Sequence, residues 1–247
     1  MKLQIMNFLS HRKLMFLIVL MMPAMIFSQS SRQEINQTDS QGRKHGLWIK
    51  KDRRDDLVYK GYFEHGMPVD TFTYFYEKDK IKARLIHLDS VKVNATLFFK
   101  NGNKKAEGIY RNQQRDSLWT FYDKKGKVVS KKDYKDGKLE GDSEHYYDSG
   151  QLLRKTNYKN GKKQGEEVFY YRDNTKEKIQ NYQQGVLEGD FIVFYPEGDT
   201  MTKGVYKENL RHGTWKYFNE SGKLIELRRY KEGELIEKKE FTENQDK

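Results

Sequence analysis

The chain has 247 residues, 36% of them hydrophobic and 34% charged, with 47 basic against 36 acidic residues and a net charge of +11. That composition alone would describe a disordered chain, but 14% aromatic residues standing in strict register argue for a folded one. With no cysteine there is no disulfide framework, so packing and hydrogen bonds must hold the fold together.

The chain begins with Lys2, His11, Arg12 and Lys13, then an apolar run over 14–27 that contains Pro23 and Ala24, then Ser28, Gln29 and Ser30. A basic start, an apolar stretch and small residues at its end predict a secretory signal peptide over 1–28, cleaved near Ser28 and Gln29. The expectation is export, to the periplasm or beyond. An uncleaved inner-membrane anchor is the alternative, disfavoured because a stable span needs about 20 apolar residues. The absence of cysteine excludes a lipid-modified N-terminus. Loss of 1–28 would leave 44 basic against 36 acidic residues. This excess is spread through Lys/Glu-rich segments, which reads as a solvated face. No basic helix or ribonucleoprotein-type motif is present, so no nucleic-acid partner is expected.

Residues 29–38 read as a linker, and a repeat array follows over 39–229. Its clearest mark is six tyrosines spaced by 24 residues: Tyr110, Tyr134, Tyr158, Tyr182, Tyr206 and Tyr230. With each tyrosine as position 0, glycine or asparagine recurs at +3, glycine at +7 and another turn residue at +16. An aromatic residue stands at +12, and +9 carries Trp119, Phe191 and Trp215. Stepping backwards places Ile86 and Phe63 at position 0, with one unit of 23 residues between them, and Asp39 starts the first unit. Eight full units and a partial ninth result, the last being residues 230–247, a partial repeat with a polar cap.

Within the unit that starts at Tyr158, residues 166–171 form a short β-prone run, 172–175 a turn and 176–182 a second extended run. Each unit is therefore a β-hairpin, with Gly161 and Gly165 supplying positive φ at its loops. No segment of the array sustains a 3.6-residue apolar period. The predicted fold is all-β: an elongated, single-layer antiparallel β-meander of about eight hairpins, or sixteen strands. At about 4.8 Å per strand it would run on the order of 75 Å. Strand alternation puts +9 and +11 on one face and +12 on the other, giving two aromatic columns. Trp119, Phe121, Phe191, Val193, Trp215 and Tyr217 form the first, and Tyr122, Tyr146, Tyr170, Phe194 and Phe218 the second.

The elements Tyr134-Lys135-Asp136-Gly137, Gly213-Thr214-Trp215 and Tyr146-Tyr147-Asp148-Ser149-Gly150 resemble the MORN repeat family in its bacterial variant form, over about residues 39–241. Asp70, Val93 and Ser117 depart from it by replacing the +7 glycine, and a different loop geometry is expected there. The resemblance implies a non-enzymatic platform for protein or membrane-lipid contact. Relatives of the bacterial variant are commonly labelled antitoxins or immunity proteins, which supplies the alternative reading.

Motifs with chemical potential coincide with repeat positions. Gly141-Asp142-Ser143 imitates a hydrolase nucleophile block, but Ser143 occupies the +9 place of Trp215. His45 and His212 share the +6 loop place, and the histidines lack a metal-binding spacing. Glu140 and Asp142, like Glu188 and Asp190, flank a turn glycine and read as charged loop residues. No catalytic, cofactor-binding or metal-ligating residue is expected. The candidate partner-binding residues are the amphipathic rings Tyr122, Tyr146, Tyr147, Tyr170, Tyr171, Phe194 and Tyr195. The expected partner of this monomer is a protein, with a lipid surface as the alternative.

Overall fold

The computed structural model describes residues 34–241, so the expected signal peptide lies outside the described residues. Among the described residues eighteen strands follow one another. They begin with β1 (Gln37–Thr38), β2 (Lys44–Lys51), β3 (Leu57–Glu64), β4 (Met67–Phe75), β5 (Ile81–His87) and β6 (Lys92–Phe98). Next come β7 (Lys104–Arg111), β8 (Gln114–Tyr122), β9 (Val128–Lys135), β10 (Lys138–Tyr146), β11 (Leu152–Lys159) and β12 (Lys162–Tyr170). The last six are β13 (Lys176–Gln183), β14 (Val186–Phe194), β15 (Thr200–Lys207), β16 (Leu210–Phe218), β17 (Leu224–Lys231) and β18 (Glu234–Glu240). Each pairs antiparallel with the next in the chain, from β1 with β2 to β17 with β18, in one open meander.

The eight hairpins account for sixteen strands, as expected, and the two edges add one each. At the start, β1 is part of the stretch read as linker, and the Trp48 indole donates to the Gln37 carbonyl at 2.9 Å. At the end, the polar cap is itself the exposed strand β18, whose Glu237, Lys238, Lys239 and Glu240 put charge on an edge that would otherwise invite pairing.

Two turns and a bulge build each hairpin. Asp136 and Gly137 have φ of 49° and 78°, the left-handed pair that a two-residue turn between right-twisted strands requires. At the opposite end, the Asp123 carboxylate accepts from the Lys125 and Lys127 amides at 2.8 and 2.9 Å and closes a longer turn. The +7 position lies inside the strand as a bulge. The register between β9 and β10 slips between Leu139 and Ser143, while Gly141 pairs normally with Tyr158 on the far side. This corrects one expected boundary: β12 starts at Lys162 and not at residue 166, because Gly165, with φ of 76°, bends the strand without ending it.

Asp70 and Ser117 also take left-handed φ, 55° and 59°, and keep the bulge in place of glycine. Val93 does not. A branched side chain resists that conformation, and β5 and β6 pair without interruption from Ala83 opposite Leu97 to His87 opposite Val93. His87, and not Ile86, therefore fills the place of the repeated tyrosine, packing on Phe72 with ring centroids 5.5 Å apart. The 23-residue spacing lies after it, between His87 and Tyr110, instead of before it.

The core lies on the +9 face. Trp119 is 0% exposed and Trp215 1% exposed, although among the described residues no second layer covers them. Each is shielded from the sides and from below. Tyr110 meets Trp119 edge-on at 4.8 Å and Arg115 lies over the ring at 4.8 Å; Tyr206 and Arg211 do the same for Trp215 at 5.2 and 4.8 Å. Beneath, each ring rests on bare backbone. A methyl group on Gly108 would stand 2.5 Å from the Trp119 ring, and one on Gly204 2.3 Å from Trp215.

Neighbouring units are tied by recurring polar contacts. The Gly137 amide donates to the Arg115 carbonyl at 2.9 Å, and Gly161 and Gly185 repeat the bond to Leu139 and Lys163 at 2.8 Å. The side chains of Glu140, Gln164 and Glu188 accept from the amides of Asn160, Gln184 and Glu208 at 2.6, 3.1 and 2.9 Å. The loop carboxylates Glu140 and Glu188 thus cap the next unit's turn.

Gly108→Ala should destabilise the chain by about 1–3 kcal/mol, the usual cost of overpacking, and Gly108→Ala combined with Trp119→Leu should lose less than the sum of the two. Urea unfolding of the four variants of this cycle measures the coupling, and strict additivity would show that the ring does not rest on the glycine.

Candidate interaction surface

The rings expected to bind a partner occupy two different environments, and all seven are half-buried. Tyr122, Tyr146, Tyr170 and Phe194 end their strands on the face opposite Trp119. There the Tyr122 hydroxyl donates to Glu107 and that of Tyr146 to Glu144, while Lys131 lies over the Tyr146 ring at 5.8 Å. Burial and the Glu107 contact push the Tyr122 hydroxyl up to about 12.

Tyr147, Tyr171 and Tyr195 stand one residue later, in the long turns. Their hydroxyls donate to the carbonyls of Tyr170, Phe194 and Phe218 at 2.8, 2.8 and 2.9 Å, each fastening its turn to the following unit. Tyr76 makes the same bond to Phe98 at 3.0 Å. Position +13 is thus a clasp between repeats, legible in the sequence as tyrosines that follow the +12 aromatic residue. These rings hold the array together and leave only part of their area for contact.

The +9 face carries a feature that sequence reasoning missed. Between the tryptophan clusters two consecutive units replace the aromatic residue by Ser143 and Glu167, both buried. Glu167 is 0% exposed and is held by Lys163 at 2.8 and 2.9 Å, by Thr156 at 2.9 Å and by Gln180 at 2.6 Å. Burial pushes this carboxyl up, but the hydrogen bonds from Lys163, Gln180 and Thr156 outweigh it and hold Glu167 below the ordinary range. The signal lay in the glycines: Phe72, Trp119 and Trp215 each follow a glycine by eleven residues, whereas Lys132 and Thr156 precede Ser143 and Glu167 by the same distance.

Around Ser143 the strand register gathers basic groups. Lys132 stands opposite Ser143, and Arg154 opposite His145. Lys132 lies 5.6 Å over Phe121, Lys178 4.0 Å and Arg154 5.7 Å over Phe169, and Arg115 caps Trp119. Arg154 comes within 3.7 Å of Glu167, and its buried Nε has no hydrogen-bond partner. The Lys132 amine is pushed down by burial and by Arg154 and Arg115. The His145 ring is lowered to about 4 by burial, then by Arg154 and Lys132.

Among the other motifs, Asp142 pairs with Lys155 at 2.7 Å, and Ser143 lies at the buried +9 place. Beside the irregular β5–β6 hairpin lies a cleft lined by Met67, Pro68, Leu85, Leu88, Val91 and Tyr110.

Lys163→Met should cost about 3 kcal/mol by stranding a buried carboxylate, and adding Glu167→Leu should restore most of it; urea midpoints measure both. His145 is lowered from its unfolded value near 6.5, so its contribution is complete above that pH and is lost as pH falls toward 4. His145→Gln should therefore lose less stability than the natural chain between pH 7 and 4.5, as read by thermal melts.

Residues 115–136, 139–160 and 211–232 match the family model described as the MORN repeat variant. Each match runs from position +5 through one hairpin to +2 of the next unit, coinciding with β8–β9, β10–β11 and β16–β17. A search of curated proteins finds no match. Among solved structures, the GtfA/B complex bound to UDP and GlcNAc is similar over 47% of this chain at 18% identity, with a TM-score of 0.20. The match spans 22% of that structure's chain and is too weak to bear on the fold. The three matched segments are in register with the hairpins that surround them, so the array carries MORN repeats of the variant form at these three places.

Proposed function

We propose that the chain is an exported, non-enzymatic repeat scaffold that binds another protein along its sheet. The observation that carries this reading is the fusion of eight like hairpins into one continuous sheet, which repeats a single surface many times. The three segments similar to the MORN repeat variant support a scaffold of this kind. Export rests on the basic and apolar pattern of residues 1–28. On the face opposite the tryptophans, Tyr146, Tyr170 and Phe194 stand in line from unit to unit with part of each ring accessible, and Lys131 lies over Tyr146.

Joint replacement of Tyr146, Tyr170 and Phe194 by serine should abolish capture of a partner from fractionated cell-envelope extracts while circular dichroism keeps its β signature. Capture undiminished in the folded triple variant would remove this ring column from the proposal. Recovery of the natural chain in the cytosolic fraction alone would remove export.

A further inference from the structure

We propose that the polar gap in the tryptophan face, centred on Lys132 and Arg154, binds an acidic peptide segment of the partner protein. This is a second site, on the face opposite the Tyr146 column, and it rests on the scaffold reading only in taking the ligand to be protein.

The charge pattern is lopsided. Along this face from Arg115 to Tyr182, the inward positions hold five cations, Arg115, Lys132, Arg154, Lys163 and Lys178, against one carboxylate, Glu167. That carboxylate is already taken by Lys163. Among the described residues Lys132, Arg115 and Lys178 form no ion pair, and Arg154 reaches Glu167 only at 3.7 Å, its buried Nε without a hydrogen-bond partner. In three other units the corresponding positions carry a large ring over glycine, Phe72 on Gly61, Trp119 on Gly108 and Trp215 on Gly204, the cheaper solution for a sheet face. Half-buried cations that repel one another work against the fold, and departures from a repeat's own rule are where function is expected.

The surroundings suit a peptide better than a small anion. Phe121 borders the gap on one side, and Phe169 and Phe191 on the other, all half-buried, so carboxylates would meet the cations while apolar parts of the ligand cover the rings. From β8 to β13 the gap spans five strand spacings, about 24 Å at 4.8 Å each, which about seven residues of extended chain would cross at 3.3 Å per residue.

The test titrates a fluorescein-labelled peptide of eight glutamates onto the purified chain at low salt, following anisotropy. K132Q/R154Q should weaken binding at least tenfold. K159Q/K207Q, which removes the same charge from exposed turn-flanking positions, should change it less than twofold. If R154Q disturbs folding, K132Q alone should still give a loss of about fivefold. Equal losses in the two double variants would show attraction to net charge alone and overturn the assignment, as would the absence of binding at low salt. Phosphatidylserine vesicles bound through Lys132 and Arg154, with the peptide ignored, would also overturn it in favour of a lipid surface. The scaffold reading fails separately: a chain that binds the peptide through these residues but captures no envelope protein keeps this site and loses that reading. Capture without peptide binding does the reverse.

Discussion

Among the described residues the β-sheet is a single layer, so every apolar ring must be hidden by side chains of the strands on either side. The rest of this structure follows from that constraint. Trp119 reaches complete burial through a tyrosine at its edge, an arginine on its outer surface and bare backbone beneath. Each protecting group belongs to the same or an adjoining repeat, so burial is a property of neighbours and not of a unit alone.

The same constraint explains why so many polar contacts join one repeat to the next. The turn amides donate to the preceding unit's carbonyls, the +6 side chains cap the following turns and the +13 tyrosines clasp the carbonyls ahead. These bonds fix the register on which ring shielding depends, and they satisfy backbone groups that a lone hairpin would leave to water. The aromatic residues read as a binding surface therefore have structural duties first, and partner contact would use what remains of their area.

The polar gap shows how a regular lattice can host an exception. Ser143 and Glu167 interrupt the column of rings without interrupting the sheet, because backbone pairing and inter-unit ties continue through them. In the sequence the basic residues look evenly scattered, at Arg115, Lys132, Arg154, Lys163 and Lys178. Folding gathers them, since Lys132 on β9 and Arg154 on β11 lie only two strand spacings apart, about 10 Å, and alternation turns all five to one face.

Much of the architecture was legible because a period of 24 residues leaves little freedom: the turn glycines, the hairpins, the two faces and the antiparallel meander all follow from local rules applied repeatedly. The identity of position 0 in the irregular unit was not legible, since choosing His87 over Ile86 depends on whether Val93 can hold a bulge. Nor was the beginning of β12, because a glycine inside a strand and a glycine before one look alike in sequence. The sequence by itself determined a repeated β-hairpin array of the MORN kind. Only the tertiary structure decided which rings are buried, which tyrosines are clasps and where the cations meet, because these depend on register across strands, which a linear period does not specify.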